Sequence, residues 1–374
     1  MKIVVFGLSI TSAWGNGHAT TFRALLKALH ERKHDIVFFE KETEWYAHNR
    51  DLPEPPYCRL ILYDNWSDVS SKARKELADA DVGMVGSYFP DGVVAIDELL
   101  DSRAGAKTFY DIDTPITIAN LGQKGSTDYL TAAQLSGFDI YFSFTGGPML
   151  REIEEKFGAK SAFPLYCSFD PCEYHRFPAN KRFACDLSYM GTYAPDRQAK
   201  LEELLVRAAT DSPESSFTVA GSQYPKRIRW PKNVRRITHL NPKWHARFYS
   251  SSRLTLNLTR REMVIAGYSP SVRLFEAAAC GAVIVSDNWP GLDSFFIPGR
   301  EILLAADAQD VERYLALPDS ELRAIGDAAQ ARALAKHTSE IRAIEFEEAI
   351  GAPIQKREIA TPGSQQEEEV VQVS

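Results

Sequence analysis

The N-terminal half of the chain alternates short apolar runs with stretches of helical period, a pattern that predicts βα units and a mainly parallel sheet. The runs fall at Ile3–Phe6, Asp35–Phe39, Arg59–Tyr63, Val82–Ser87, Lys107–Asp111 and Ile140–Ser143. Between the first two, His18 to Arg32 places Phe22, Leu25, Leu26 and Leu29 on one helical face. A second series repeats the logic at Leu187–Met190, Ser216–Ala220, Arg235–Thr238, Leu254–Leu258 and Ala282–Ser286. Two such series predict two α/β domains, residues 1–168 and 186–336. Residues 169–185 carry Pro171 and Pro178 and neither period, so they read as a linker. Beyond Asp319 a helical region extends to about Ile350. Residues 351–374 are polar and poor in core formers, and are expected to be disordered.

The stretch Ser269–Phe296 organises the second series. Ser269 reads as a helix N-cap with Pro270 at the first helical position, Ala277–Ala279 favour helix, and Gly281 ends it before a buried strand. A helix entrance bearing Ser269 and Ser271 points free N–H groups at one spot, which suits a phosphate, and Arg273 adds a charge-assisted bond. Glu276 lies between Phe275 and an Ala-rich face. A carboxylate there needs a partner, and the hydroxyl pair of a ribose whose diphosphate sits at the helix entrance supplies one.

Three further strand exits carry chemistry. The first empties into a loop with Gly15, Asn16, Gly17 and His18; Thr20 stands where a dinucleotide fingerprint needs its third glycine, which weakens an oxidoreductase reading. His18, at a helix start facing the cleft, is a candidate acid or base, against the plainer reading of a structural or solvated histidine. Asp111 and Asp113 follow another strand. They are read as one carboxylate that faces the cleft to bind acceptor or orient His18 and one that holds the loop, in preference to a metal-binding pair. Gly191 and Thr192 bring backbone N–H groups near a diphosphate that Arg197 can neutralise, and Asn257, Thr259 and Arg260 follow a neighbouring strand.

Composition narrows the classes. The chain has 374 residues, 44% hydrophobic and 25% charged, with a net charge of −7, which is the profile of an ordinary globular protein and argues against nucleic acid as a partner. The basic run Tyr224–Arg236 therefore reads as a solvated loop beside the cleft. Five cysteines without paired spacing, no leader pattern and no run approaching the ~18 apolar residues of a membrane span predict a cytoplasmic protein with reduced thiols and no transmembrane segment.

The order WGNGHATT, YDIDTP, FTGGP, GTYAPDR and GYSPSVRLFEAAACG resembles the CgeB-like branch of the GT-B glycosyltransferases, first named from spore-maturation proteins. The resemblance implies two facing Rossmann-like, doubly wound domains, with a helix at residues 337–350 that crosses back onto the first. It implies a nucleotide diphosphate sugar as donor, held by Gly191, Thr192, Arg197, His239, Arg260, Ser269, Ser271, Arg273 and Glu276. His239 is carried over as part of a nucleobase cradle. The acceptor, whether small molecule, glycan or protein, would meet His18, Asp113 and the loop of Gly15, Asn16, Gly17 and Asp111, with no cofactor and no metal. One departure stands out: Tyr268 occupies the first position of the Glu-x7-Glu pattern, leaving inversion or retention of configuration open. A nucleotide-sugar epimerase and a non-catalytic sugar- or nucleotide-binding surface-layer protein remain the alternatives.

Overall fold

A computed structural model of the chain describes residues 1–14 and 17–360. Gly15 and Asn16, expected in the acceptor-side loop, and residues 361–374 of the expected disordered tail lie outside the described residues.

The strands β1 (Lys2–Phe6), β2 (Asp35–Lys41), β3 (Arg59–Tyr63), β4 (Val82–Gly86), β5 (Ala106–Asp111), β6 (Ile140–Ser143) and β7 (Ala162–Pro164) form one parallel sheet in the order β3-β2-β1-β4-β5-β6-β7. A second parallel sheet holds β8 (Cys185–Met190), β9 (Phe217–Ala220), β10 (Val234–Ile237), β11 (Ser252–Asn257), β12 (Val283–Ser286) and β13 (Leu303–Leu304), in the order β10-β9-β8-β11-β12-β13. Strands such as β4, β6 and β12 are buried along their whole length because helices cover both faces, which is why they read as continuous apolar runs rather than alternating ones. The edge strands β7 and β13 escape the sequence pattern. At three and two residues they are too short to show a period.

Each sheet reverses its strand order once, between β1 and β4 in the first and between β8 and β11 in the second. At such a reversal the loops at the carboxyl ends of adjacent strands diverge and leave a crevice. The loops after β1, β4, β8 and β11 therefore deliver their residues to one place, and the two crevices open into a common cleft.

The last helix, Ser339–Ala360, returns to the first domain and packs on the first helix, Gly17–Glu31. Ala343, Phe346 and Ile350 are buried, with the Phe346 ring 5.3 Å from Phe142 of β6. Glu347 pairs with Arg32 at 2.6 Å and His34 at 2.7 Å. These pairs are partly solvent-screened, so Glu347→Gln is expected to cost about 0.5–1 kcal/mol in urea unfolding, with the difference shrinking at high salt. The helix continues through Gly351–Ala360, which the sequence reading assigned to the tail. Gln355, Lys356, Arg357 and Ala360 have high intrinsic helix preference, and Pro353 does not end the helix here. Among the described residues, no helix is long and apolar enough to cross a membrane.

Candidate active site

The helix Val272–Ala279 is capped by Ser271, whose backbone is extended, and not by Ser269. The shift has a cause in the other domain. The Ser269 hydroxyl is taken by Thr145 Oγ1 at 2.8 Å, and Gly146 N donates to the Tyr268 carbonyl at 3.0 Å, so the segment before Ser271 is held as an interdomain strap. Tyr268 adopts a positive φ of 47° with its ring against Gly147 and Gly291, where a Cβ would approach the ring to 2.4 Å in each case. Both glycines have positive φ, so neither close approach nor backbone would tolerate a side chain.

Ser271 donates to Asn257 Oδ1 at 2.8 Å, and Arg273 Nη1 reaches the same oxygen at 3.0 Å. Arg273 Nε donates to the Met190 carbonyl at 2.6 Å, which leaves Nη2 beside Gly191, 3.2 Å from where a Cβ would be. Asn257, at the end of β11, thus fixes a guanidinium and a hydroxyl together. Arg197 follows β8 and donates to the Thr192 carbonyl at 3.0 Å; its buried Nε has no partner among the described residues.

Glu276 is 4% exposed. Burial pushes its carboxyl up to about 7, while a hydrogen bond from Tyr174 and the charge of Arg273 pull the other way. The sequence offered no partner on its own helix. The partner comes from the linker, where Tyr174 is buried and its phenol held well above its ordinary value by burial and by Glu276.

Across the cleft, His18 is 8% exposed and its Nδ1 is buried without a hydrogen-bond partner among the described residues. Burial lowers the imidazole to about 4, partly countered by the Asp113 charge. Asp113 sits 3.6 Å from Arg260 of the second domain, which also approaches Asp196 at 3.8 Å. Trp14 meets His239 with ring centroids 4.1 Å apart, another contact between the domains.

The two domains enclose one cleft of about 650 Å³. It is bounded by Gly17, His18 and Asp113 on one side and by Gly191, Thr192, Arg197, His239, Arg260, Ser269, Ser271, Arg273 and Glu276 on the other. Asp111 is the exception. It is fully buried, accepts from Tyr141 and Thr117, and is raised by burial to about 6, so it holds the loop after β5 and does not reach the acceptor side. Among the described residues, no group of three or more His, Cys, Asp or Glu is placed to hold a metal ion.

Sequence reasoning missed Tyr88 and Trp14 as lining residues and Tyr174 as the partner of Glu276. Tyr88 follows β4 with a positive φ of 62°, its ring edge-on to His18 at 5.3 Å and its phenol raised by burial and by the nearby Asp113 charge. Its position directly after a predicted strand was the available signal. The basic run is exposed at Lys226, Arg227, Arg229, Lys232 and Arg235, in keeping with its solvated reading, and only Arg236 departs from it, half-buried and stacked over Tyr224 at 4.0 Å and Trp230 at 4.5 Å.

Residues 197–348 match a family model described as glycosyl transferase-like. Among solved structures, sucrose-phosphate synthase from Thermosynechococcus elongatus aligns at a TM-score of 0.67 and 15% identity, covering 96% of this chain and 100% of that one. HepE from Anabaena, in complex with UDP and glucose, aligns at 0.68 and 12% identity over 94% of this chain and 100% of its own. An alpha-glucosyltransferase bound to UDP-glucose and DNA containing an abasic site aligns at 0.64 and 12% identity, covering 94% of this chain and 98% of that one. No curated protein sequence matches the chain. At these identities the likeness establishes the GT-B fold.

Proposed function

We propose that this GT-B chain, whose C-terminal domain is glycosyl transferase-like, transfers a sugar from a nucleoside diphosphate sugar to an acceptor hydroxyl, and that it belongs to the CgeB-like branch. The observation that carries the reading is the convergence of the Ser269–Ser271 strap, Arg273, Glu276, Gly191, Thr192 and Arg197 on one wall of the interdomain cleft. Arg197, Arg273 and backbone N–H groups at Thr192 and at the helix entrance after Ser271 suit a diphosphate, whereas the Gly191 N–H donates to the Ala220 carbonyl at 2.9 Å; Glu276 one turn deeper suits the ribose hydroxyls. The Thr238–Leu240 segment beyond β10 borders the end of the cleft expected to take the nucleobase. UDP-bound relatives of the same fold support a nucleotide donor, without fixing the base for this chain.

In the transfer, the bond from the sugar C1 to the β-phosphate oxygen breaks and its electron pair leaves with the nucleoside diphosphate. A new bond forms between C1 and the acceptor oxygen. The acceptor proton passes to the His18 imidazole if configuration inverts, or to the departing diphosphate if it is retained. Arg197 and Arg273 face the charge that develops on the leaving group, the role a metal ion plays in other transferases. EDTA is therefore expected to leave turnover within about twofold. Loss of activity restored by magnesium or manganese would count against this assignment of the leaving-group charge.

The test of the donor reading is a thermal-shift panel of uridine, guanosine, adenosine and thymidine diphosphates. A ligand at about 100 times its Kd adds roughly 2.7 kcal/mol of stability, so the bound member stands out clearly. No shift with any of the four would remove the donor reading. Donor turnover without acceptor would instead favour an epimerase, and binding without any donor loss a non-catalytic binder.

A further inference from the structure

The two walls of the cleft differ in chemistry. On the C-terminal side three guanidinium groups, Arg197, Arg260 and Arg273, border the space. Among the described lining residues of the N-terminal side there is no Lys or Arg, and Asp113 is the one carboxylate. Most of what surrounds it is ring or hydrocarbon: Trp14, Tyr88, Phe144, Leu8 and Ile112. The nearest cation, Arg260, is shared between Asp113 and Asp196, so its charge is already matched.

This wall is built rather than incidental. Tyr88 holds a positive φ, uncommon for a bulky residue, and that conformation persists only where the surroundings over-determine it. Here the ring packs on Tyr129 at 4.9 Å and on His18 at 5.3 Å, while the phenol lies within the field of Asp113. His18 adds a nine-tenths buried imidazole, one nitrogen of which has no partner among the described residues. A buried polar atom of this kind is costly unless a group arrives to bond with it.

We propose that the acceptor is an uncharged, ring-bearing polyol, a neutral saccharide in chemical class, whose ring lies against Tyr88 and whose hydroxyls bond to Asp113 and His18. This rests on the donor reading above, since it places the acceptor on the wall facing the diphosphate. A carboxylate accepts from neighbouring hydroxyls and repels phosphate or uronate groups. With no unmatched cation on this wall, an anionic acceptor would be desolvated beside Asp113 without compensation. Aromatic faces give a sugar ring apolar contact while its hydroxyls stay bonded at the edge.

The experiment uses the full chain loaded with whichever nucleoside diphosphate calorimetry shows to bind. Saturation-transfer NMR then compares glucose, maltose and trehalose with glucose 6-phosphate and glucuronate. At least one neutral member is expected to bind ten or more times tighter than the anionic members, and Asp113→Asn is expected to narrow that gap to less than about threefold. Anionic members binding as well as neutral ones, or no neutral member binding to the nucleotide-loaded protein, would overturn the proposal while leaving the donor reading intact. An unchanged gap in folded Asp113→Asn would overturn it too, because the discrimination would then come from elsewhere. If no nucleoside diphosphate binds, the donor reading fails and this inference falls with it.

Discussion

His18→Ala is expected to lower turnover by about 10²–10⁴-fold while nucleotide affinity and melting temperature stay close to wild type. The histidine follows β1 at the point where the first sheet reverses its strand order, across the cleft from Arg197, Arg273 and Glu276. Burial lowers its imidazole to about 4, so the ring is neutral through the working pH range and ready to accept the hydroxyl proton. Asp113 favours the charged form and so steadies the imidazolium that the proton transfer creates. With donor saturating, so that Glu276 does not limit, kcat/KM for the acceptor should fall as pH drops through about 4, and His18→Ala should remove that limb from whatever activity remains. Normal transfer by the mutant would exclude the catalytic role, and a mutant that unfolds would make His18 a packing residue. Anomer analysis of the product by NMR separates base from binder, since a proton acceptor opposite the leaving group belongs to inversion. Tyr268 bears on that choice: it stands at the first position of the Glu-x7-Glu pattern, is packed between Gly147 and Gly291, and is not among the residues that line the cleft.

Glu276→Ala is expected to weaken donor binding by roughly tenfold to a hundredfold, because a charged hydrogen-bond pair contributes about 1.5–3 kcal/mol. Unchanged affinity by calorimetry in a folded mutant would remove the ribose assignment. The carboxyl also predicts a pH signature whose sign follows from its raised value of about 7. In the ligand-free protein the folded state holds this proton more tightly than the unfolded chain. Its contribution to stability is therefore complete below about pH 4.5 and lost as pH rises through about 7. Ribose hydroxyls donate to the carboxylate and favour the ionised form, so donor affinity should rise from pH 5 to about 7 and then level, with proton release on binding below pH 7. A nucleotide sugar suits the measurement because its diphosphate does not titrate in that window. Glu276→Gln should flatten the profile, and a profile as steep as wild type would assign the titration to another group.

Much of this was legible because parallel strands covered on both faces must be apolar throughout, and the runs at Ile3–Phe6, Val82–Ser87 and Ile140–Ser143 each became a strand of the first sheet. The small-residue helix with Ser271, Arg273 and Glu276 was legible for a related reason. Its polar residues interrupt an otherwise apolar element, and such interruptions call for a ligand or a partner. Trp14 was not legible, since an aromatic residue in a loop looks the same in sequence whether it faces a cleft, a core or solvent, and for Tyr88 the one signal was its place directly after a predicted strand.

What the sequence determined by itself was local: which segments are strands and helices, that there are two series of them, and which chemical groups leave the strand ends. The tertiary structure decided which of those ends meet. Strand order places the exits of β1 and β4 opposite those of β8 and β11, a consequence of crossovers that no local period encodes. It likewise separated two aspartates that stand two residues apart, burying Asp111 against Tyr141 and Thr117 and leaving Asp113 to face Arg260. The Tyr174 partner of Glu276 is the clearest case, because it lies 102 residues away in a linker with no period of its own. Burial in a shared core brings such groups together, and burial depends on the whole packed chain, whereas helix and strand formation depend mainly on near neighbours.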